Sequence, residues 1–392
     1  MAPSPDDPVL GAAAGTPPVE VTIVAHDIGP VRGMERQLSD LVVGLRRLGH
    51  AVTVIGRTCE LPDGTDARFH RVRGPARPFV VAYPWFMLAG SLAVRRRRRG
   101  IVQATGAIVL NRVDAISVHY LHRVATNTPS RATWLFRAHD RASGVLKRLG
   151  ERVCLRVCRP AAVVCVSAGV ADEVREHYPS LAGRVVTIYN GIDTDAFAPG
   201  ARREEAGALR ARLGIGEGRL VAAFVGSEWE RKGLAPLLAA LALAPEWTLL
   251  VAGGGDEQRY RELAEAAGVA GDVRWLGVTD EVQGVYDLAD AFVLPSSYET
   301  FSLVTFEAAA SGLAILATPV NGVRELILDG ETGMLITREP ELIAECLRRL
   351  GADPALRTRL GGAARTAALS YGRERMVDEH HALYQRLAAP PS

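Results

Sequence analysis

Residues 19–55, VEVTIVAHDIGPVRGMERQLSDLVVGLRRLGHAVTVI, decide the fold class. Val19–His26 is a short apolar run that leads into the turn IGPVRG, and Met34–Leu48 then places apolar residues at helical spacing. A second apolar run, Ala51–Ile55, follows directly. Strand, turn, helix and strand in this order predict the first βαβ unit of a parallel sheet.

The same alternation continues through the first half of the chain and then begins again. The further predicted strands are Ile101–Ala104, Ala115–His119, Ala161–Val166 and Arg184–Ile188, and then Leu220–Val225, Trp247–Ala252, Val273–Leu276, Ala291–Leu294 and Ala314–Ala317. Two consecutive series predict an α/β protein with two doubly wound parallel sheets. Ligands of such sheets bind beyond the carboxyl ends of the strands.

The length of the chain, 392 residues, predicts two domains, because it is greater than the length that usually folds around one hydrophobic core. The Gly-, Asn- and Asp-rich stretch 189–200 marks the boundary, so we predict domains at 19–190 and 191–370 and a final helix at 371–392. Residues 1–18 are rich in Pro and Ala and lack the basic start of a signal peptide, which predicts a disordered leader.

Composition narrows the class of protein. A net charge of +2 gives no reason to expect a nucleic-acid partner, and no apolar run is long enough for a transmembrane helix. The five cysteines are unclustered, which favours free thiols over a metal site and predicts a cytoplasmic protein. Only two of the 46 basic residues are lysines, Lys147 and Lys232.

The stretch PSSYETFSLVTFEAAAS, residues 295–311, follows a predicted strand and begins a helix near Ser302. A helix start at the carboxyl end of a strand offers free backbone N–H groups to a phosphate. Glu299 and Glu307 would lie ~12 Å apart along one helix axis, farther than the ~5 Å or ~6.5–9.5 Å between glycosidase carboxylates. We therefore expect them to contact different parts of one extended ligand.

The stretch FVGSEWERKG, residues 224–233, turns at Gly226 after a predicted strand. It places Arg231 and Lys232 where we expect the next helix to begin, where cations oppose the helix dipole unless an anion is present. A diphosphate suits this pair, since Arg binds phosphate bidentately and Lys acts as a point charge. The alternative is a solvated pair of surface charges.

Two further signals are weaker. Gly33 lies in the first strand-to-helix turn, where glycine lets a phosphate approach the backbone, but neither the GxGxxG nor the Walker spacing occurs there. His119 ends a predicted strand, and it is either a structural histidine or a ligand-binding one.

Together these stretches resemble the retaining glycosyltransferases of the GT-B fold, family 4. Glu299 and Glu307 match the family's E-x7-E motif, and Asn190–Asp193 with Phe197 and Pro199 match its signature NG-(I/V)-D-x3-F-x-P. Gly226–Gly233 is similar to the lipopolysaccharide core glucosyltransferases, and Glu325 and Gly333 fit a later pattern of the family.

The resemblance implies two Rossmann-like domains with an interdomain cleft and a final helix that packs back on the first domain. It implies transfer of a hexose from a UDP- or GDP-sugar to a glycan, lipid-linked or small-molecule acceptor, with no cofactor and no metal. The implied roles are diphosphate binding by Arg231 and Lys232, sugar contact by Glu299 and His119, ribose contact by Glu307, and phosphate contact by the N–H groups of Phe301, Ser302, Leu303 and Val304. The family commonly has Gly-Gly in the first turn, and Arg32 replaces the first of these here. Arg32 either faces solvent, adds to the phosphate clamp or reaches into the acceptor site, and these alternatives leave the role of Gly33 open.

Two rival functions remain: a hydrolysing nucleotide-sugar 2-epimerase on the same fold, and a non-catalytic nucleotide-sugar binding protein. A separate alternative concerns FVVAYPWFMLAGSLAV, residues 79–94, and the five arginines Arg95–Arg99 that follow it. This segment is either a buried helix with arginines at its negative end or a peripheral contact with anionic lipid. Burial explains every residue, and we favour it.

Overall fold

The computed structural model describes residues 17–30, 33–124 and 134–389, which divide into two compact units. The amino-terminal unit comprises the described residues up to Gly191 and those from Arg373 onward. The carboxyl-terminal unit comprises Ile192–Gly372. Arg32 and residues 1–16 of the predicted leader lie outside the described residues.

The amino-terminal unit is built on a parallel sheet. Its strands are β1 (Glu20–Val24), β2 (Asp27–Ile28), β3 (Ala51–Gly56), β4 (Thr58–Cys59), β5 (Arg68–Arg71), β6 (Ile101–Thr105), β7 (Ala115–Val118), β8 (Ala162–Cys165) and β9 (Val185–Thr187). Its first helices are α1 (Gly33–Arg47), α2 (Phe79–Arg97), α3 (Trp134–Cys158) and α4 (Ala168–His177), followed by a 3₁₀ turn at Pro179–Arg184. Seven of these strands form one sheet in the order β5-β3-β1-β6-β7-β8-β9, so the direction of winding reverses between β1 and β6. The other two, β2 and β4, form a separate parallel pair.

The carboxyl-terminal unit repeats this arrangement. Its strands are β10 (Leu220–Val225), β11 (Trp247–Ala252), β12 (Val273–Gly277), β13 (Ala291–Leu294), β14 (Ala314–Ala317) and β15 (Met334–Leu335). Its helices are α5 (Arg203–Arg212), α6 (Trp229–Lys232), α7 (Leu234–Leu241), α8 (Glu257–Ala266), α9 (Val282–Leu288), α10 (Leu303–Ala310), α11 (Val323–Leu326), α12 (Pro340–Ala352) and α13 (Pro354–Ala368), with short 3₁₀ turns at Ala270–Asp272 and Leu369–Tyr371. The six strands are parallel in the order β12-β11-β10-β13-β14-β15, so winding reverses between β10 and β13. Ligands of doubly wound sheets bind at such a reversal.

The last helix, α14 (Arg373–Ala388), belongs to the amino-terminal unit, where it packs on α1. A Cβ added at Gly44 of α1 would lie 2.3 Å from the side chain of Val377, so only glycine permits this approach. Tyr384 of α14 donates a 2.9 Å hydrogen bond to Gln103 of β6. The final helix is therefore part of the core of the first sheet.

Both ends of the carboxyl-terminal unit meet in a single bridge. Ile192 pairs with Gly372 in parallel register, and its backbone N–H donates to the carbonyl of Tyr371 at 2.9 Å. The unit thus begins and ends at neighbouring positions.

The predicted strands all occur, with bounds that agree to within two residues at each end. The sequence did not predict β5, whose residues RFHR include two arginines, or the two-residue strands β2, β4 and β15. All five cysteines are free thiols. Among the helices that the structure describes, none has the length and apolar character needed to cross a membrane.

Candidate active site

The loops after β10 and β13 bring the FVGSEWERKG and PSSYE stretches together. These strands are neighbours at the reversal of the second sheet, so residues that follow Val225 and Leu294 emerge side by side. Oε1 of Glu299 lies 2.8 Å from Nζ of Lys232 and 3.0 Å from Nη1 of Arg231. The carboxylate and the two cations form one ion cluster.

Glu299 and Lys232 are both buried. Burial alone would raise the pKa of Glu299, but the opposing charges of Lys232 and Arg231 outweigh it, and the net pKa is lowered. Ser296 Oγ also donates to Oε1 at 2.8 Å. In the described part of the chain these three contacts all fall on Oε1, which leaves Oε2 able to accept from a ligand.

Arg231 is fixed from two sides. Its Nη1 donates to the carbonyl of Tyr298, and its Nε and Nη2 donate to Oε2 of Glu228 at 3.1 and 2.7 Å. Burial alone would lower the pKa of Arg231, but Glu299 and then Glu228 raise it, so the guanidinium stays charged. These contacts, with the one to Glu299, engage four of its five N–H donors, so a phosphate that binds Arg231 bidentately has to displace the exposed Glu228.

Gly226 allows Lys232 to reach Glu299. Its φ of +136° lies in a region that side chains disfavour, and an added Cβ would lie 2.6 Å from Cε of Lys232. Its carbonyl accepts a 2.9 Å hydrogen bond from the indole of Trp229. The glycine is therefore required both for the turn and for the course of the lysine side chain.

A helix begins close to where the sequence predicts, but at Trp229, two residues before Arg231. Arg231 and Lys232 end the single turn α6, and α7 begins only after Gly233, whose φ is +81°. The helix dipole therefore gives no reason for an anion here. The observed counter-charges are Glu299 and Glu228, so the alternative of a solvated surface pair does not describe the buried Lys232 either.

Helix α10 starts where the sequence predicts, directly after Ser302. Ser302 has a φ of +66°, and its hydroxyl lies 2.8 Å from that of Thr305 instead of capping the helix. The Ser302 side chain therefore does not cap α10. The N–H groups of Leu303 and Val304 lie in the first turn of the helix, where backbone N–H groups have no partner within the helix. Glu228 also has a left-handed backbone, with a φ of +59°, and such strain of roughly 1–3 kcal/mol concentrates at functional sites.

Glu307 lies inside α10 and is buried. The hydroxyl of Tyr286 lies 3.5 Å from Oε2 of Glu307 and donates to the carbonyl of Val304 at 3.2 Å. Glu299 precedes the helix, so the estimate of ~12 Å along one helix axis does not apply to this pair. Their contacts with different parts of one ligand stay a prediction.

The remaining predicted residues, His119 and Gly33, lie in the amino-terminal unit. Gly33 begins α1, and His119 directly follows β7 and lines a small cavity with Ser117, Asn190 and His380. Burial and the neighbouring His380 lower the pKa of His119 to about 4. At neutral pH His119 is therefore an uncharged hydrogen-bonding group.

Sequence reasoning missed the residues that hold the ion cluster, namely Ser296, Glu228 and the carbonyl of Tyr298. It also missed Tyr286 beside Glu307. The pair of serines in PSSYE was the available signal for Ser296, because a hydroxyl three residues before a carboxylate in a turn can donate to it. Tyr286 reaches Glu307 from another helix, and nothing local in the sequence indicates that contact.

Comparison with known families matches each half of the chain to one model. Residues 31–196 match the model described as Glycosyltransferase Family 4. Residues 206–367 match the model described as Glycosyl transferases group 1. Together the two matches extend over most of the chain.

Two curated relatives and one solved structure illustrate the similarity. The α-maltose-1-phosphate synthase of Mycolicibacterium smegmatis is 34% identical over 236 residues, 56% of this chain and 59% of that protein. The D-inositol 3-phosphate glycosyltransferase of Corynebacterium urealyticum is 33% identical over 244 residues, 58% of this chain and 57% of that protein. The chain thus matches less than two thirds of the length of these relatives.

The solved structure is that of the Anabaena protein HepE in complex with UDP-glucose. It superposes with a TM-score of 0.70 and 17% identity, covering 92% of this chain and 98% of that protein. At this level of identity the likeness concerns the fold alone.

Proposed function

Because this chain belongs to family 4 of the glycosyltransferases and has their GT-B fold of two Rossmann-like domains, we propose that it transfers a hexose from a UDP- or GDP-sugar with retention of configuration. The acceptor is a glycan, a lipid-linked sugar or a small molecule. The observation that carries the proposal is the ion cluster of Arg231, Lys232 and Glu299 at the reversal of the second sheet.

The chemistry follows from where charge develops. Breaking the bond between the sugar carbon and the diphosphate builds positive charge on the sugar and negative charge on the leaving phosphate. Two fixed cations in a largely buried site stabilise that phosphate most strongly when its charge is greatest, which lowers the barrier. Lys232 has three N–H donors, and the observed contact with Glu299 occupies one of them.

Helix α10 adds a second source of positive potential. The N–H groups of Leu303 and Val304 at its start, and the partial positive charge of the helix end, suit the same diphosphate. Glu307 would accept from the ribose hydroxyls, and Oε2 of Glu299 from hydroxyls of the transferred sugar. His119 would contribute as a neutral hydrogen-bonding group, since its pKa of about 4 leaves it uncharged.

The comparisons support the donor class without fixing the acceptor. HepE is described in complex with UDP-glucose, which favours a nucleoside-diphosphate sugar as the donor here. The two curated relatives are named for different products and acceptors, so neither name is carried over. Independence of metal and cofactor remains part of the proposal.

A thermal-shift panel tests the donor class directly. We expect a nucleoside diphosphate and its sugar to raise the melting temperature of the wild-type protein, because a ligand of the native state stabilises it by mass action. The Lys232→Ala variant should melt cooperatively and show a reduced shift. The proposal is wrong if no UDP- or GDP-sugar shifts the melting temperature of the wild-type protein at millimolar concentration.

The reaction itself is tested by the fate of the sugar. NMR of a reaction with a stabilising donor and candidate acceptors should show a new glycosidic bond with the donor's anomeric configuration. Release of an epimerised free sugar in the absence of an acceptor would identify a 2-epimerase instead. Binding without any turnover across the acceptors would favour a non-catalytic binding protein.

A further inference from the structure

Helix α2 has two apolar faces, of which only one is buried. Ala82, Phe86, Gly90 and Val94 lie inside the amino-terminal unit. The opposite face carries Val81, Trp85, Leu88 and Leu92, at helical spacing and 47–65% exposed. We call these four residues the α2 stripe. The expectation that Phe79–Val94 forms a buried helix is therefore wrong for the face that carries the α2 stripe.

The neighbouring helix α3 has the same kind of face. Val145, Leu149, Val153 and Val157 are spaced four residues apart and are 37–58% exposed, and we call them the α3 stripe. The two helices pack against each other, since a Cβ added at Gly150 would lie 2.4 Å from the hydroxyl of Tyr83. Rows of exposed apolar side chains on neighbouring helices are typical of interaction sites.

The charges beside both stripes are almost all positive. Arg95, Arg96 and Arg97 end α2, and within the described ranges none of them forms an ion pair. Exposed arginines alternate with the α3 stripe at Arg148, Arg152 and Arg156. Helix α2 contains no acidic residue, and Glu151 of α3 is buried and accepts from Tyr178 and the N–H of His122.

We propose that the α2 and α3 stripes with their flanking arginines form a surface that adsorbs to an anionic lipid bilayer. Apolar side chains of this size enter the boundary between headgroups and acyl chains, while arginines keep their guanidinium groups at the level of the lipid phosphates. Trp85 suits this boundary, because its indole N–H is already satisfied by the carbonyl of Arg73 at 2.9 Å.

Charge favours lipid over a second copy of this chain. A two-fold symmetric dimer through this face would bring the exposed arginines of both copies into one interface, where α2 offers no acidic partner. An anionic membrane supplies the opposite charge and an apolar layer together. The inference does not depend on the proposed transfer reaction, since it concerns binding alone.

Vesicle flotation tests the surface with the full chain. The wild-type protein should float with phosphatidylcholine vesicles that contain phosphatidylglycerol, and not with phosphatidylcholine alone. The variant Leu88→Ser/Leu92→Ser should bind about tenfold more weakly, since two half-exposed leucines lose their burial in lipid. The variant Arg95→Gln/Arg96→Gln should bind more weakly at low salt and show a smaller dependence on salt.

A matched control variant shows whether the loss of binding belongs to the α2 stripe or follows from replacing any two exposed leucines. Leu243 and Leu369 are also exposed leucines, and Leu243→Ser/Leu369→Ser should float like the wild-type protein. Each variant is compared by circular dichroism and melting temperature so that misfolding is recognised. The proposal is overturned if the wild-type protein fails to float at low salt, if the serine variant of the α2 stripe floats unchanged, or if these variants change only the oligomeric state in gel filtration.

Discussion

Lys232 and Glu299, 67 residues apart in the chain, are joined by a 2.8 Å ion pair that is almost fully buried. A buried pair of this kind is costly to break, because the partner that remains keeps its charge without compensation. If the proposed chemistry is right, the pair contributes both to the stability of the carboxyl-terminal unit and to activity, and changing one partner or both separates the two contributions.

Changing Lys232 alone should cost both stability and turnover. We expect Lys232→Met to lower the free energy of unfolding by roughly 1–3 kcal/mol, since Arg231 and Ser296 still compensate Glu299 in part. Turnover should fall by about 100-fold or more with the loss of a cation at the leaving phosphate. Urea unfolding and initial rates measure the two effects.

The double variant Lys232→Met/Glu299→Leu is the control for that experiment. It removes both charges, so its stability should return towards that of the wild-type protein while turnover stays low. Recovery of turnover together with stability would show that the pair has only a structural role.

The contribution of Glu299 should depend on pH. Its pKa is lowered in the folded state, so its ion pairs stabilise the fold above the usual pKa of a glutamate and lose this effect as the pH falls through the lowered value. The difference in unfolding free energy between wild type and Glu299→Gln should therefore be largest near neutral pH and shrink at and below about pH 4. Urea unfolding across this range measures it, and a difference that stays constant with pH contradicts the assignment.

Gly226→Ala should disturb Lys232 as well as the backbone. The added Cβ would lie 2.6 Å from Cε of the lysine, and the φ of +136° disfavours any side chain. We expect a loss of at least about 1–3 kcal/mol in stability from backbone strain and a large loss of turnover. Gly268→Ala is a matched control, since its φ is +73° and no atom lies within 4 Å of the added Cβ. It should cost about 1 kcal/mol and leave turnover unchanged; equal losses in both variants would contradict the contact with Lys232.

His119 should act without changing its charge between pH 6 and 8. Its pKa of about 4 in the folded state lies below the ordinary value of 6.5. The unfolded chain therefore takes up a proton first as the pH falls, and the fold loses stability between these two values. His119→Gln should lose less stability over that range in urea unfolding. An inflection near pH 6.5 in the rate profile that disappears in this variant would contradict a neutral role.

Much of the fold could be predicted from local sequence because parallel strands buried on both faces are short apolar runs. Leu220–Val225, Trp247–Ala252 and Ala291–Leu294 have the predicted bounds. Strand β5 could not be recognised, because Arg68–Arg71 lies at the edge of its sheet and contains only one apolar residue, the exposed Phe69. Its pairing with β3 is decided by tertiary structure.

For the candidate site, the sequence indicated which residues meet but not how they are held. Adjacency of β10 and β13 follows from the doubly wound topology, so proximity of the RKG and PSSYE stretches was predictable. The end of α6 at Lys232 was not, because it depends on the left-handed backbone of Glu228 and Gly233. The side-chain contact between Tyr286 and Glu307 joins separate helices and lies beyond any local pattern.

The bridge between Ile192 and Gly372 has a consequence for the architecture of the chain. Because the polypeptide leaves and re-enters the amino-terminal unit at neighbouring positions, the carboxyl-terminal unit is an insertion with its two ends already fastened together. We therefore expect residues 192–372 to fold as a stand-alone fragment, because its termini lie close together. It carries Arg231, Lys232, Glu299 and Glu307, so the proposed nucleotide binding can be tested on this fragment without the amino-terminal unit.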